Sequence, residues 1–190
     1  MKFGKDLIVF DIECTGSDKE KYSICEIGAV RVCKNSLAII GEFQSLVKPY
    51  LGNFDPDAMA VHNIPMEELQ KAPDVTEVLD KFEAWISKTD APYLACREVT
   101  LSGWGASYFD VPFLQETYKI LHRPWLFDYK TIDIKTIACW EFARQNKPFK
   151  GGLEKCSRRL EFTMEGVHHR AVDDAKATAR ILSALALILK

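Results

Sequence analysis

The sequence predicts an α/β fold in which helices cover a mixed sheet. Two observations carry that expectation. Three apolar, β-branched segments follow one another between residues 6 and 47, and beyond them helical and strand-like segments alternate. With 190 residues the chain is long enough for one domain, 1–190, around a sizeable core. It shows no internal repeat, no low-complexity tract and no domain boundary.

Residues 6–12 read as a buried strand. Residues 24–33 and 38–47 read as two more, joined by the hairpin-like Lys34-Asn35-Ser36, so the first three strands should form an antiparallel meander. Residues 52–73 hold several Pro, Gly and Asn and should be irregular with short helical turns. Over 74–88, Val75, Val78, Leu79, Phe82 and Ile86 share a helical face. Residues 92–97 are a short strand candidate, and 128–133 are a candidate for the last strand. Helices are expected over 110–121, 134–145 and 152–160, and the longest over 171–189. The stretch from Lys147 to Gly152 should be an exposed loop inside the domain.

Composition narrows the class. The chain is 47% hydrophobic and 27% charged, as expected of a soluble globular protein. The run Leu7-Ile8-Val9-Phe10 is short and lies between Asp6 and Asp11, unlike a secretion signal. The apolar run Ile181 to Leu189 is too short to span a bilayer. No membrane role is therefore expected. Cys14, Cys25, Cys33, Cys96, Cys139 and Cys156 form no Cys-x-x-Cys pair and read as reduced, mostly buried thiols of a cytoplasmic protein. The net charge of −2, from 25 basic and 27 acidic residues, counts mildly against a nucleic-acid partner. Divalent cations held by some of the acids would reverse that sign.

The acids with chemical promise come in three places. Asp11 and Glu13, in Phe10-Asp11-Ile12-Glu13, are two apart on the first strand and so share a face. They end an apolar run with no base beside them, and two hard oxygen donors suit Mg²⁺ or Mn²⁺. Solvated acids at an exposed strand end would explain the pair equally well. Near the C-terminus, Asp174 shares a helical stripe with Ile181, Leu185 and Ile188, so it should face inward. Asp173 lies instead with Lys176 and Arg180 on a solvated side. His169 stands five residues before Asp174, and helical geometry would turn it away. It reaches the same site only from the loop before the helix. There a histidine, with an ordinary pKa of about 6.5, suits a general base. A surface role explains His169 alone, and His168 has no other reading. In the middle, Asp110 in Phe109-Asp110-Val111-Pro112 would serve as the cap of the following helix, a role compatible with a site at the helix end.

Together these segments resemble the DEDDh branch of the DEDD exonuclease superfamily. That family orders an Asp-x-Glu on the first strand, a Phe-Asp before a helix and a late His-x-x-x-x-Asp. Here the matching residues are Asp11 and Glu13, then Phe109-Asp110, then His169 and Asp174. Each motif is common alone; their joint order and spacing across nearly the whole chain carry the resemblance. It implies a ribonuclease H-like fold, a five-stranded mixed sheet flanked by helices. It also implies 3′→5′ removal of nucleoside 5′-monophosphates from DNA or RNA, with two divalent ions, Mg²⁺ or Mn²⁺. Asp11, Glu13 and Asp174 would bind one ion, Asp11 would bridge to the second, Asp110 would support the site through water, and His169 would be the general base.

Val61-His62-Asn63-Ile64 resembles a His-Gly-Ile segment of relatives, which makes His62 a candidate contact of the terminal nucleotide, with Asp57 a further one. Cys14 and Thr15 would contact that nucleotide mainly through backbone. Asn63 stands where the family has glycine, and Ala106 where it often has asparagine; both departures bear on substrate rather than chemistry. Two rivals remain: a ribonuclease H-like endonuclease, against which the His-x-x-x-x-Asp ending argues, and a silent nucleic-acid-binding subunit, perhaps a polymerase partner. The basic stretch Lys147, Lys150, Lys155, Arg158 and Arg159 could meet phosphates or simply be solvated.

Overall fold

The apolar run that begins at Leu7 lies in the middle of the sheet. A computed structural model describes residues 2–87, 96–162 and 169–188. In it β1 (Asp6–Cys14) has neighbours on both edges. β2 (Ile24–Val32) and β3 (Ile39–Leu46) extend it as an antiparallel meander, while β4 (Val99–Gly103) and β5 (Thr131–Asp133) run parallel to it. The sheet has five strands in the order β3-β2-β1-β4-β5, as the sequence led us to expect. Helices cover both faces, which is why its central strand is a continuous hydrophobic run.

Alternation along β1 sends Ile8, Phe10 and Ile12 to one core and Leu7 and Val9 to the other. The first core includes α3 (Val75–Ser87) and α4 (Asp110–Ile120), and the expected stripe from Val75 to Ile86 is buried in it. The second includes α5 (Ile134–Arg144), α6 (Leu153–Arg159) and α7 (Ala171–Ile188). Asp11 and Glu13 continue the parity of Leu7 and Val9, so both carboxylates emerge on the face that α7 covers. Between β3 and α3 come two short helices, α1 (Pro56–His62), capped by the Asp55 carboxylate, and α2 (Met66–Lys71). All six cysteines are free thiols. No helix among the described residues is long and apolar enough to cross a membrane.

Several local expectations differ from the structure. Of the strand expected over 92–97, residues 92–95 lie outside the described residues, and Cys96–Glu98 is a 3-10 turn. The strand begins at Val99, where Thr100 and Ser102 break up the apolar pattern. Ser102 is nonetheless fully buried, because its hydroxyl donates to the Ile132 carbonyl at 2.7 Å. The last strand is three residues long, not six. Ile188, placed on the inward stripe of α7, is 38% exposed at the helix end, while Ile181 and Leu185 are buried.

β4 stops short of β1. Their pairing ends at Val9 opposite Ser102. At Gly103 a Cβ would stand 2.6 Å from the Phe10 carbonyl and 2.7 Å from Ala106 Cβ, so only glycine lets the chain turn away there. The carboxyl end of β1 thus has an open edge at the place where its neighbours switch from antiparallel to parallel. Such a crevice is where open α/β sheets bind ligands.

Candidate active site

At this crevice β1 supplies Asp11 and Glu13, α4 supplies Asp110 and α7 supplies Asp174, with His169 in the turn before α7. All five line one cleft of about 250 Å³, together with Trp104, Tyr108 and Phe109. Residues separated by more than 150 positions in sequence therefore meet as the motif order implied.

Each is held by its local structure. Asp110 is the first residue of α4, not its cap; Phe109 occupies the cap position. Its carboxylate instead accepts the backbone N–H of Ile12 at 3.1 Å, satisfying a donor on the open edge of β1. Asp174 lies in the first turn of α7 and is 7% exposed, whereas Asp173 is half-buried on the other side. His169 adopts a left-handed φ of 62° in the turn. Its side chain is 47% exposed, and Nδ1 stands 4.0 Å from Asp174 Oδ2. His168 lies outside the described residues.

The electrostatics are those of too many acids in too little water. Asp11 is pushed well above the usual carboxylate range, first by burial and then by the charges of Asp110, Glu13, Asp174 and Glu26. Burial pushes Glu13 up to about 9, aided by Asp174, Glu26 and Asp110 and opposed by Arg170. Burial raises Asp110 to about 7, against the backbone N–H groups that favour its ionised form. Such a cluster ionises fully only if positive charge enters it. Glu13, His169 and Asp174 each offer a ligand atom within 4.8 Å of the others. Asp11 and Asp110 line the same cleft outside that trio, so the donor set is mostly hard oxygen.

The residues expected to contact the nucleotide fare differently. Cys14 lines an adjoining, largely apolar cleft of about 220 Å³ that also includes Gly16, Ala58, Val61 and Phe109. Thr15 is fully buried. Its N–H donates to the Ser23 carbonyl, its carbonyl accepts from Asp55, and its hydroxyl donates to the Asn53 carbonyl. His62 is 4% exposed and turned inward: Nδ1 accepts the Ile64 N–H at 3.0 Å, and Nε2 lies 3.6 Å from Cys25 Sγ. Burial holds its pKa below the ordinary value. Asp57 is exposed on α1 and does not line the cleft. A third cleft of about 370 Å³ runs from Ser17, Asp18 and Lys19 to Phe113, and Phe109 lines all three.

Two residues escaped the sequence reading. Glu26 is fully buried opposite Glu13 in the β1–β2 register, and Arg170 pairs with it at 2.8 Å. A glutamate inside the apolar Ile24-Cys25-Glu26-Ile27 was the available signal. In the basic stretch, Arg159 is already engaged, with its guanidinium 4.2 Å from the Phe142 ring centroid and a hydrogen bond to the Lys147 carbonyl.

Comparisons with known proteins bear on the fold and the family. Over 183 residues, 95% of the chain, it is 31% identical to the PolC-type DNA polymerase III of Clostridium perfringens, and it spans 11% of that relative's length. The nuclease domain of 3′hExo, a DEDDh family member solved bound to rAMP, superimposes with a TM-score of 0.76 at 20% identity, covering all of this chain and 94% of that one. Exonuclease I of E. coli, solved with a dA16 oligonucleotide, gives 0.76 at 15% identity over 96% of this chain and 41% of that one. These two likenesses establish a common, ribonuclease H-like fold. The RNase_T exonuclease model matches residues 8–182, from the second residue of β1's apolar run into α7. A match of that extent, over a cleft holding the motif residues in order, makes this chain a member of the exonuclease family.

Proposed function

We propose that this chain, as one domain spanning 1–190, removes nucleotides one at a time from a 3′ end by hydrolysing phosphodiester bonds to nucleoside 5′-monophosphates. The observation that carries the reading is the meeting of four carboxylates and an imidazole in one cleft where the acids resist ionisation. Family membership supports phosphodiester hydrolysis. Likeness to a PolC-type polymerase supports a DNA 3′ end as substrate and a polymerase as partner.

The donor set fits a pair of divalent cations, Mg²⁺ or Mn²⁺, held by Asp11, Glu13 and Asp174 with Asp110 in support. When bound they supply the positive charge that neutralises the scissile phosphate and makes water acidic enough to attack. The protein's own residues do the rest. Asp110, tethered to Ile12, fixes the spacing between strand and helix so that acids from three elements face one point. The His169 imidazole takes the proton of the attacking water, from a loop open to solvent. The apolar cleft between Val61 and Phe109, which Cys14 and Gly16 also line, receives the terminal nucleoside. Thr15 and His62, both buried, act by holding the adjoining backbone.

The test is a digest of matched 3′-labelled DNA and RNA strands, single and double, with and without Mg²⁺ or Mn²⁺. Mononucleotides released only with metal, and none from a circular strand, are expected. Cleavage of the circle would favour an endonuclease, and no release from any strand would favour a silent binding subunit.

A further inference from the structure

We propose that Glu26 and Arg170 are a positioning pair that sets where His169 stands, acting through the amino end of α7; this rests on the reading of His169 as the base. Arg170 directly follows His169, and its carbonyl accepts the N–H groups of Asp173 and Asp174, so it opens α7. Its guanidinium grips the Glu26 carboxylate through Nη2 at 2.8 Å and Nε at 3.1 Å. The same carboxylate accepts the N–H of Ala171 at 3.1 Å and the side-chain amide of Gln44 at 2.7 Å. Both oxygens are thus engaged. Although Glu26 is fully buried opposite Glu13, it holds the backbone of α7 rather than facing the cleft.

Gly28, two residues along β2, completes the seat. A Cβ there would stand 2.0 Å from the Val172 nitrogen and 2.1 Å from the Ala171 carbonyl carbon. The first turn of α7 therefore lies directly on the strand, with Glu26 at one end of the contact. This matters for His169 because it directly precedes that seat in the chain. Its side chain is 47% exposed, and its left-handed φ is strained for a residue with a Cβ. Such a conformation persists only where neighbours over-determine it, and a bidentate pair one residue away does so. A buried ion pair is a poor way to gain stability, since apolar replacements often serve as well. What it supplies is a single geometry, and here that geometry places the imidazole.

The experiment is a double-mutant cycle on a 3′-labelled single strand with Mg²⁺ or Mn²⁺. Arg170→Lys keeps the charge and loses the fork; Glu26→Gln keeps the shape and loses the charge. Each should lower kcat by about 10- to 100-fold with KM little changed, as a misplaced catalytic group does. In a His169→Ala background neither should cost anything further, because the group they position is gone. Losses that multiply in the double variants would show a merely structural role and overturn the pairing while leaving the His169 reading intact. A fully active His169→Ala would overturn that reading and the pairing with it. A second measurement needs no metal and no turnover: amide hydrogen exchange over Ala171 to Asp174 should quicken in both variants, and unchanged protection would overturn the proposal.

Discussion

The carboxylate of Asp110 accepts its hydrogen bond from Ile12, the residue between Asp11 and Glu13. One side chain thus ties the start of α4 to the strand that carries two of the other three acids. Its structural and chemical parts are separable by substitution. Asp110→Asn keeps an acceptor for the Ile12 N–H and should fold normally, yet lose activity by roughly 100-fold or more, since charge directed at a developing transition state is worth that much. Asp110→Ala leaves a buried N–H unsatisfied and should also lose about 1–3 kcal/mol of stability. Thermal melts beside initial rates check both; an Asn variant with full activity would remove Asp110 from the chemistry.

The crowded acids make a pH dependence with a definite sign. Glu13 titrates at 4.5 when unperturbed and at about 9 in the folded protein. The fold therefore prefers its protonated form. That preference contributes fully below about pH 4.5 and is lost as pH rises through 9. Asp11 and Asp110 are shifted in the same direction. Metal-free protein should melt at falling temperature as pH is raised from 5 to 9. Added Mg²⁺ or Mn²⁺ should raise the melting temperature more at the alkaline end, by mass action on the ionised cluster. Glu13→Gln should flatten the metal-free profile. A profile that rises with pH in the metal-free protein would contradict the cluster.

Much of this was legible in the sequence, for identifiable reasons. The central strand and α3 were readable because burial on both faces, or along one stripe, writes a clear pattern in Leu7 to Phe10 and in Val75 to Ile86. Asp174 was distinguishable from Asp173 because one helical step separates an inward stripe from a wet one. β4 was not readable, since Ser102 hides its polarity in a hydrogen bond to another strand. The inward turn of His62 and Thr15 depends on partners 37 and 38 residues away in sequence, contacts that no local pattern encodes. Glu26 was hidden for the same reason: its partner Arg170 is 144 residues distant.

Asp173 and Asp174 offer a direct test of the helix-face argument. Asp174 is 7% exposed in the cleft; its neighbour lies half-buried on the side of Lys176 and Arg180. Asp174→Ala should abolish turnover and leave the circular dichroism spectrum unchanged. Asp173→Ala should alter kcat less than about threefold, as surface substitutions usually do. The reverse result would mean that α7 is rotated by one residue from the placement described.

Phe109 lines three clefts at or beside the site. It lines the acidic cleft, the apolar cleft beside Cys14 and the groove that continues to Lys19 and Phe113, and its ring lies 5.1 Å from that of Phe113. A strand with its 3′ end at the acids that leaves along any of these clefts passes this ring. Stacking a base on an aromatic face is worth about 1–3 kcal/mol by alanine substitution. Phe109→Ala should therefore raise KM for a short single strand by roughly tenfold while changing kcat much less, because the acids and His169 keep their own supports. Phe109→Tyr or Phe109→Trp should restore binding. A variant that lost kcat at unchanged KM would assign Phe109 to holding Asp110 in place, one residue further along the chain, and not to the strand.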